Sequence, residues 1–220
     1  MSFLKKLFGS NKSTPDPELN PITDKAQNAG INADIESVKS GKLKVYPILK
    51  PGDWIGIKAD AICQVLVGDA ENPLLVIGFG YDAPQNFVFL NGTDFNTNED
   101  IQVAISGAYQ NLAAYEVALN EVVPGKVCII DGKDFCAEKI LDKPFMKALQ
   151  NKLGGDHLMV SIPRRRGMMV TNAFEEEEIR AIFLDVHAKT WNDPSYGNAP
   201  IINAVFKLVN GEIELVKPLN

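Results

Sequence analysis

Apolar residues in the first half of the chain fall in short runs that turn residues interrupt. The runs are rich in β-branched and aromatic side chains and end at proline, glycine or asparagine, which is typical of β-strands. Four strands are therefore predicted, at residues 43–51, 60–68, 73–80 and 86–90.

The pattern becomes helical at Thr97. Residues 97–100, TNED, have the form of a capping box, which marks the start of a helix. Apolar residues then recur at alternating steps of four and three, which places them on one helix face: Ile101, Ile105, Ala108, Leu112, Tyr115, Leu119 and Val122. One helix is predicted from this point until Pro124 and Gly125 end it.

Hairpin and helix signals alternate in the second half of the chain. Asp131-Gly132 lies between two β-prone stretches, which predicts a first hairpin. A short helix is predicted over residues 144–153, with Asp142 as its cap. The strings LMVSI and MMVT, residues 158–162 and 168–171, predict the two strands of a second hairpin.

A last helix follows the second hairpin. Thr171 or Asn172 is predicted to cap it, and the helix begins with the string AFEEEEIRAIF. The glutamates at its start favour the positive end of the helix dipole. The apolar positions predict a buried stripe formed by Ile179, Ile182, Phe183 and Val186.

Asn210-Gly211 predicts a type I′ turn and a third hairpin near the end of the chain. A two-residue turn places Lys207 opposite Glu214 and Phe206 opposite Leu215. Opposite charges and apolar side chains would then both face each other across the strands.

Hairpins joined by amphipathic helices predict an α+β fold, because strands and helices do not alternate regularly. The expected architecture is a mainly antiparallel β-sheet built from hairpins, with amphipathic helices packed on one face. Residues 41–220 are predicted to form a single α+β domain, with two subdomains dividing near residue 96 as the alternative. Residues 1–40, rich in proline and small polar residues, are predicted to be a flexible N-terminal segment.

A short amphipathic stretch opens this segment. Phe3, Leu4, Leu7 and Phe8 recur at helical spacing, with Lys5 and Lys6 on the other side. Such a pattern suits an anionic membrane surface, but two helical turns bury too little to hold a protein there alone. At most weak membrane-surface contact through residues 1–9 is therefore expected.

Composition excludes several classes of protein. The net charge of −6 and pI near 5.0 argue against general nucleic-acid binding, which usually needs a basic domain. The chain lacks an apolar run of membrane-spanning length, and a cytoplasmic location is expected. Three cysteines without a C-x-x-C pair, Cys63, Cys128 and Cys136, predict neither a disulfide framework nor a zinc site.

Candidate catalytic residues are few. A cysteine nucleophile needs a base within hydrogen-bond reach, and the chain has two histidines, His157 and His187. His187 lies beside the predicted buried stripe, which favours a core histidine with satisfied hydrogen bonds. His157 follows Gly154, Gly155 and Asp156, which favours a turn residue. No catalytic residue, metal ligand or cofactor is predicted.

Three strings, YDAPQNFVFL at 81–90, AYQNL at 108–112 and SIPRRR at 161–166, precede the last helix and the Asn-Gly hairpin. In this order they resemble the YtpQ-like bacterial proteins, a domain of unknown function. Members of that family tend to have an acidic residue after the hairpin arginine, where this chain has Arg166 and Gly167. The resemblance implies a similar fold, and it carries over no catalytic residue because the family has no assigned chemistry.

Arg164, Arg165 and Arg166 lie between the strands of the second predicted hairpin. The favoured interpretation is a solvated hairpin tip, because water solvates exposed charge at little cost. The alternative is a binding patch: guanidinium groups bind carboxylate and phosphate through paired hydrogen bonds, so these residues are the candidate site for an anionic ligand or acidic partner.

Two classes of function remain from the sequence. The absence of a paired nucleophile and base favours a non-enzymatic binding or protein-interaction module, with a protein or an anionic small ligand as its partner. The alternative is a hydrolase-like enzyme whose active site assembles from residues far apart in sequence.

Overall fold

The structure, a computed structural model, describes residues 34, 37–38, 41–84, 86–132, 134–196 and 199–219. The amphipathic stretch 1–9 and nearly all of the N-terminal segment 1–40 lie outside these residues. Within that segment, Asp34 is buried, and its carboxylate accepts a hydrogen bond from Nδ2 of Asn86 at 2.8 Å.

The predicted α+β class is confirmed. The described residues contain three α-helices and ten β-strands, and every strand pair is antiparallel. They divide into two compact units, the first ending at Ala114 and the second beginning at Tyr115. The division follows the first helix, because that helix packs on a strand of the first unit. A division near residue 96 would have separated the two elements.

The first unit contains a four-stranded sheet in which β3 lies between β1 and β2 and also pairs with β4. All four predicted strands are present: β1 (Val45–Pro51), β2 (Cys63–Gly68), β3 (Pro73–Asp82) and β4 (Phe87–Phe89). Helix α1 (Asn98–Ala113) lies against β1.

Helix α1 begins as predicted and ends nine residues before Val122. Thr97 and Asp100 form the expected capping box, with Thr97 Oγ1 accepting from the Asp100 N–H at 3.1 Å. The prediction of helix from residue 114 to residue 122 was wrong, because Leu119–Val123 forms a strand. Leu119 satisfies the helical spacing, but it also lies opposite Ile130 of a neighbouring strand, and this tertiary pairing prevails.

The second unit contains a six-stranded sheet in the order β10-β9-β7-β8-β6-β5. Its strands are β5 (Leu119–Val123), β6 (Val127–Asp131), β7 (Leu158–Ser161), β8 (Gly167–Asn172), β9 (Ala204–Val209) and β10 (Glu212–Pro218). Two helices belong to the same unit, α2 (Lys143–Leu153) and α3 (Glu177–Asn192).

Both faces of the central strands are buried, whereas the sequence predicted cover by helices on one face. Val127 and Ile129 of β6 pack with residues of α3, and the alternate residues Cys128 and Ile130 are fully buried as well. Successive side chains of a strand point to opposite faces. The continuous apolar run VCII is therefore typical of a strand that is covered on both sides.

No hairpin forms at Asp131-Gly132, contrary to the prediction. Strand β6 ends at Asp131, and the chain continues into a short 3-10 helix, Ala137–Leu141. The reason is that both edges of β6 already pair, one with β5 and the other with β8. The local turn signal is present, but no free strand edge remains beside β6 for a partner.

The two helices of the second unit differ in how well the sequence predicts them. Helix α2 has the predicted bounds within a residue, and Asp142 Oδ1 accepts from the Phe145 N–H at 3.1 Å as its cap. Helix α3 begins at Glu177, four residues later than predicted. Asn172 instead accepts a hydrogen bond from the Phe174 N–H, which closes a local turn.

The stripe predicted on α3 is buried only in part. Phe183 and Val186 are buried and Ile179 is half-buried, whereas the side chain of Ile182 remains 48% exposed. An apolar side chain is therefore left open to solvent beside the core of the second unit.

The last hairpin has the predicted turn and, beyond the first pairs, a different register. Asn210 and Gly211 have φ of 52° and 81°, as a type I′ turn requires. A bulge after Ile213 shifts the pairing by one residue, so Lys207 faces Leu215 rather than Glu214, and Phe206 faces Val216. Lys207 Nζ still reaches Glu214 Oε2 at 2.7 Å.

Two glycines with positive φ, Gly125 and Gly211, separate the free-energy cost of backbone strain from the cost of a steric clash. A Cβ on Gly211 would lie 2.3 Å from the carbonyl oxygen of Lys143, whereas a Cβ on Gly125 (φ 68°) would meet nothing within 4 Å. We expect Gly125→Ala to lower the free energy of unfolding by about 1 kcal/mol through backbone strain. Gly211→Ala should cost about 2 kcal/mol or more, because a clash is added. Urea denaturation of both variants measures the difference, and equal losses would contradict the contact with Lys143.

Candidate functional site

The loop that carries the three arginines is held at Pro163 and Arg165 by neighbouring backbone. Ile162 and Pro163 are buried at its start. The Arg165 N–H donates to the carbonyl oxygen of Ala199 at 3.0 Å, and the Ile201 N–H donates to that of Pro163 at 2.8 Å. The loop is therefore anchored to residues 199–201 rather than being a free hairpin tip.

Arg164 binds the C-terminal end of helix α3. Its Nε donates to the carbonyl oxygen of Thr190 at 2.7 Å, and its Nη2 donates to that of Trp191 at 2.8 Å. The last carbonyl groups of a helix have no partner within the helix and carry the negative end of its dipole. The Arg164 guanidinium satisfies two of them and is engaged in the fold.

The other two arginines lie in different surroundings. Arg166 has a φ of 65°, and its Nε contacts Asp134 Oδ1 at 2.7 Å in an ion pair whose side chains are both about half exposed. The half-buried side chain of Arg165 makes no hydrogen bond or ion pair with any residue that the structure describes. The three guanidinium groups thus have separate settings, and Arg165 is the one available to a ligand.

A buried hydrogen-bonded chain links β7, α3 and the segment before β9. Ser161 Oγ lies 2.8 Å from His187 Nδ1, and His187 Nε2 lies 3.1 Å from Asn203 Oδ1. Because Asn203 Nδ2 donates to the Leu219 carbonyl oxygen, its Oδ1 accepts from His187 Nε2, and Nδ1 accepts from the Ser161 hydroxyl. His187 is the satisfied core histidine that the sequence predicted.

Serine, histidine and an amide in one chain have the composition of a hydrolase triad. Ser161 is 1% exposed and His187 is fully buried, so the hydroxyl is not open to a substrate. The sequence did not predict this chain, since Ser161 lies inside a strand and Asn203 in a loop with no motif to connect them. Its physical role is to satisfy polar groups between α3 and the sheet.

The remaining nucleophile candidates are also in structural positions. Cys128 and Cys136 are buried and Cys63 is half-buried, and burial raises the pKa of the Cys63 and Cys128 thiols. A raised pKa disfavours the thiolate, which is the nucleophilic form. His157 packs its ring edge-on against Phe174 with 5.1 Å between ring centroids.

A buried ion pair was not predicted from the sequence. Lys139 Nζ lies 2.8 Å from Asp142 Oδ2, and both side chains are about 95% buried or more. Asp142 also caps α2, and the Lys139 ammonium lies 5.2 Å from the ring centroid of Phe145. The pair therefore connects the 3-10 helix Ala137–Leu141 to the start of α2.

A small groove lies between α3 and the β5 side of the six-stranded sheet. Its volume is about 30 Å³, and every residue that lines it is apolar. The strands contribute Val122, Val123, Val127, Ile129 and Met169, and the helix contributes Ile179, Ile182, Phe183 and Val186. We call this feature the apolar groove; the half-exposed Ile182 lies at its solvent side.

Acidic residues lie next to the apolar groove at the start of α3. Glu178 precedes Ile182 by four residues, so the two side chains are neighbours on the helix surface. Glu175 and Glu176 contact Lys126 Nζ at 3.8 and 2.7 Å. Glu177 and Glu178 are exposed and make no ion pair with any described residue. Glu177 lies on the opposite side of α3 from the residues that line the groove. Glu178 is therefore the carboxylate beside the groove that has no ion pair with a described residue.

The arginine loop generates a prediction that separates its three residues. Arg164→Ala should lower the free energy of unfolding by about 1 to 2 kcal/mol, because two helix carbonyls lose their partner. Arg165→Ala and Arg166→Ala should change it by no more than about 0.5 kcal/mol, since Arg165 has no hydrogen bond or ion pair with a described residue and the Arg166–Asp134 ion pair is about half exposed. Thermal denaturation of the three variants tests this; three equal small effects would show that Arg164 does not hold α3.

His187 generates a prediction about pH. Burial lowers the pKa of His187 below its ordinary value of 6.5. The unfolded chain then binds a proton that the folded chain does not, so stability is full above about pH 6.5 and falls as the pH drops below it. Between pH 7.5 and 5.5 we expect the free energy of unfolding to fall by an amount on the order of 1 kcal/mol. The His187→Gln variant should lack this fall, and the His157→Gln variant should retain it. Urea denaturation at both pH values measures the fall, and a fall in His187→Gln equal to that of the wild type would refute the prediction.

Comparisons with known proteins identify no family for the chain. No protein-family model, no curated protein and no solved structure matches the chain. The resemblance to YtpQ-like proteins stays a prediction. Among the described residues no helix is both long and apolar enough to cross a membrane, and no group of three or more His, Cys, Asp or Glu side chains could hold a metal ion.

Proposed function

We propose that the chain is a non-enzymatic binding module that takes an apolar, lysine-bearing protein segment at the apolar groove. The observation that carries this proposal is the groove itself, with the exposed Ile182 on its solvent side and, beside it, the carboxylate of Glu178, which has no ion pair with a described residue. Apolar surface next to charge of one sign is a usual composition for a protein-recognition surface.

The size and lining of the groove favour a protein side chain over a small-molecule substrate. Sites for small molecules usually measure roughly 300 to 1,000 Å³ and include a few polar groups that orient the ligand. This groove is far smaller and contains no polar side chain. It suits the tip of an apolar side chain that a partner inserts.

The charges favour a basic partner. Glu178 makes no ion pair with any described residue, whereas Lys126 already contacts Glu175 and Glu176. A lysine placed beside an inserted apolar side chain would meet the Glu178 carboxylate. Such exposed pairs contribute mainly to specificity and to the association rate.

The partner segment fits better as a helix than as an added strand. The outer edge of β5 pairs with no described strand, but β5 has five residues and its pairing with β6 is broken by a bulge between Glu121 and Val123. Short strands and bulges discourage strand addition at a sheet edge. Helix-in-groove binding needs only side chains on one helix face.

An anionic ligand at the arginine loop is a second candidate. Arg165 favours it, because this side chain is half-buried and has no partner among the described residues. Such a ligand would meet one of the three guanidinium groups, since Arg164 is bound to α3 and Arg166 to Asp134. The hydrolase-like alternative has no support from Ser161, because the Ser161 hydroxyl is buried and a substrate cannot reach it.

The test uses a synthetic helical peptide with leucine at i, i+3, i+4 and i+7 and lysine on its other face. We expect Ile182→Glu in the full chain to weaken binding of this peptide at least about tenfold, because a charge would be buried against apolar side chains. A peptide of the same pattern with glutamate in place of lysine should bind about tenfold more weakly than the lysine peptide. Fluorescence anisotropy measures both.

Leu184→Glu is the matched control, because Leu184 is exposed on α3 and does not line the groove. It should leave the peptide affinity within about twofold of wild type. If Ile182→Glu and Leu184→Glu bind the peptide alike, or if no variant binds it, the groove is not the binding surface.

A further inference from the structure

We propose that Lys126 sets the charge specificity of the apolar groove, because its ammonium occupies two carboxylates that a basic partner segment would otherwise meet. This inference rests on the proposed function, since it names the residue that limits how strongly the groove takes a lysine-bearing segment. It follows from the place of Lys126 in the turn between β5 and β6 and from its contacts with the start of α3.

The backbone of Lys126 is fixed beside the groove. Lys126 lies directly before Val127, and both Val123 and Val127 line the groove. Its N–H donates to the Val123 carbonyl oxygen at 2.9 Å, and its own carbonyl oxygen accepts from Thr171 Oγ1 at 2.8 Å. The side chain therefore starts from a defined point, where two strands that line the groove meet.

The side chain of Lys126 reaches the start of α3. Its Nζ lies 2.7 Å from Glu176 Oε1 and 3.8 Å from Glu175 Oε1. Glu176 and Glu175 precede Ile179 by three and four residues, and Ile179 lines the groove from the helix side. The ion pair thus joins the strand side and the helix side of the groove at the end where α3 begins.

This contact keeps a positive charge at that end of the groove. The hydrogen bond with Glu176 raises the pKa of Lys126, and the same bond lowers the pKa of Glu176, so both groups are charged at neutral pH. A lysine of a partner would have to share Glu175 and Glu176 with an ammonium that repels it. Lys126 therefore disfavours a second cation here.

Glu178 is the carboxylate that remains for a partner. It makes no ion pair with a described residue, and it neighbours Ile182 on the helix surface. The two ends of the groove consequently differ in charge, with the ion pair near Ile179 and an open carboxylate near Ile182. A bound segment would place its lysine beside Ile182 and an uncharged residue beside Lys126.

The first experiment removes the charge of Lys126 in the full chain. We expect Lys126→Met to bind the lysine peptide at least about threefold more tightly than wild type, because Glu175 and Glu176 become available to the lysine. The glutamate peptide should bind about threefold more weakly, since it then meets two carboxylates that lack their cation. Fluorescence anisotropy at low ionic strength measures both affinities, and two unchanged affinities would overturn the inference.

Lys207→Met is the matched control. Lys207 Nζ also lies 2.7 Å from a carboxylate, that of Glu214, and the side chain of Lys207 is 33% exposed against 34% for Lys126. Lys207 lies on β9 and does not line the groove. The control should leave both affinities within about 1.5-fold of wild type. A change equal to that in Lys126→Met would assign the effect to net charge and overturn the inference.

The two peptides also separate a role of charge from a role in keeping the groove narrow. If the ion pair only held the β5–β6 turn against α3, its loss would change both affinities in the same direction, and that result would overturn the inference. Opposite changes support it. In about 1 M sodium chloride both changes should vanish, because charges are then screened over about 3 Å. Changes that persist in this salt would likewise overturn it.

Removal of the two carboxylates identifies where the lysine of the peptide binds. Adding Glu175→Gln and Glu176→Gln to Lys126→Met should abolish the gain in affinity for the lysine peptide, since no carboxylate is then released. A gain that persists would show that these two residues do not receive the lysine and would overturn the inference.

The same measurements distinguish failure of this inference from failure of the proposed function. Binding of the lysine peptide that Ile182→Glu weakens and Lys126→Met leaves unchanged would overturn the inference and leave the proposed function standing. Absence of binding in the wild type and in every variant would overturn both.

Discussion

The position of helix α3 over the six-stranded sheet is the constraint on which the candidate surface depends. Its C-terminal half is held by polar contacts: the Arg164 guanidinium on two terminal carbonyls, and His187 between Ser161 and Asn203. Buried polar groups are costly unless satisfied, so these contacts allow little freedom in where the helix lies. Phe183 and Val186 complete the attachment by apolar packing.

The N-terminal half of α3 is attached differently. It begins with glutamates that suit the positive end of the helix dipole, and Ile182 is not covered by the sheet. The acidic start therefore has a local structural reason. On the proposals made above, it has a second use as the charged side of a binding surface. One end of the helix would supply rigidity and the other an open apolar contact.

The candidate site shows why clusters in sequence need not be clusters in space. Three consecutive arginines suggested one anionic-ligand patch, but the chain reverses direction there, and each guanidinium has its own surroundings. The apolar groove, by contrast, is assembled from β5, β6, β8 and α3, which are distant in sequence. Its only local signals were the valines at 122 and 123 and a helix stripe that appeared fully buried.

The sequence by itself determined the features that depend on a few neighbouring residues: the capping box at Thr97, the cap of α2 at Asp142, the type I′ turn at Asn210-Gly211 and the α+β class. The caps and the turn follow from local hydrogen bonds and backbone dihedrals, and the α+β class follows from the order of strand and helix signals. Tertiary structure alone decided that Leu119–Val123 is a strand, that the chain after Asp131-Gly132 leads to the 3-10 helix Ala137–Leu141 rather than to a hairpin strand, and that Ile182 stays exposed. These outcomes depend on which strand edges and which apolar surfaces are already occupied by distant parts of the chain, and periodicity along the sequence carries no information about that.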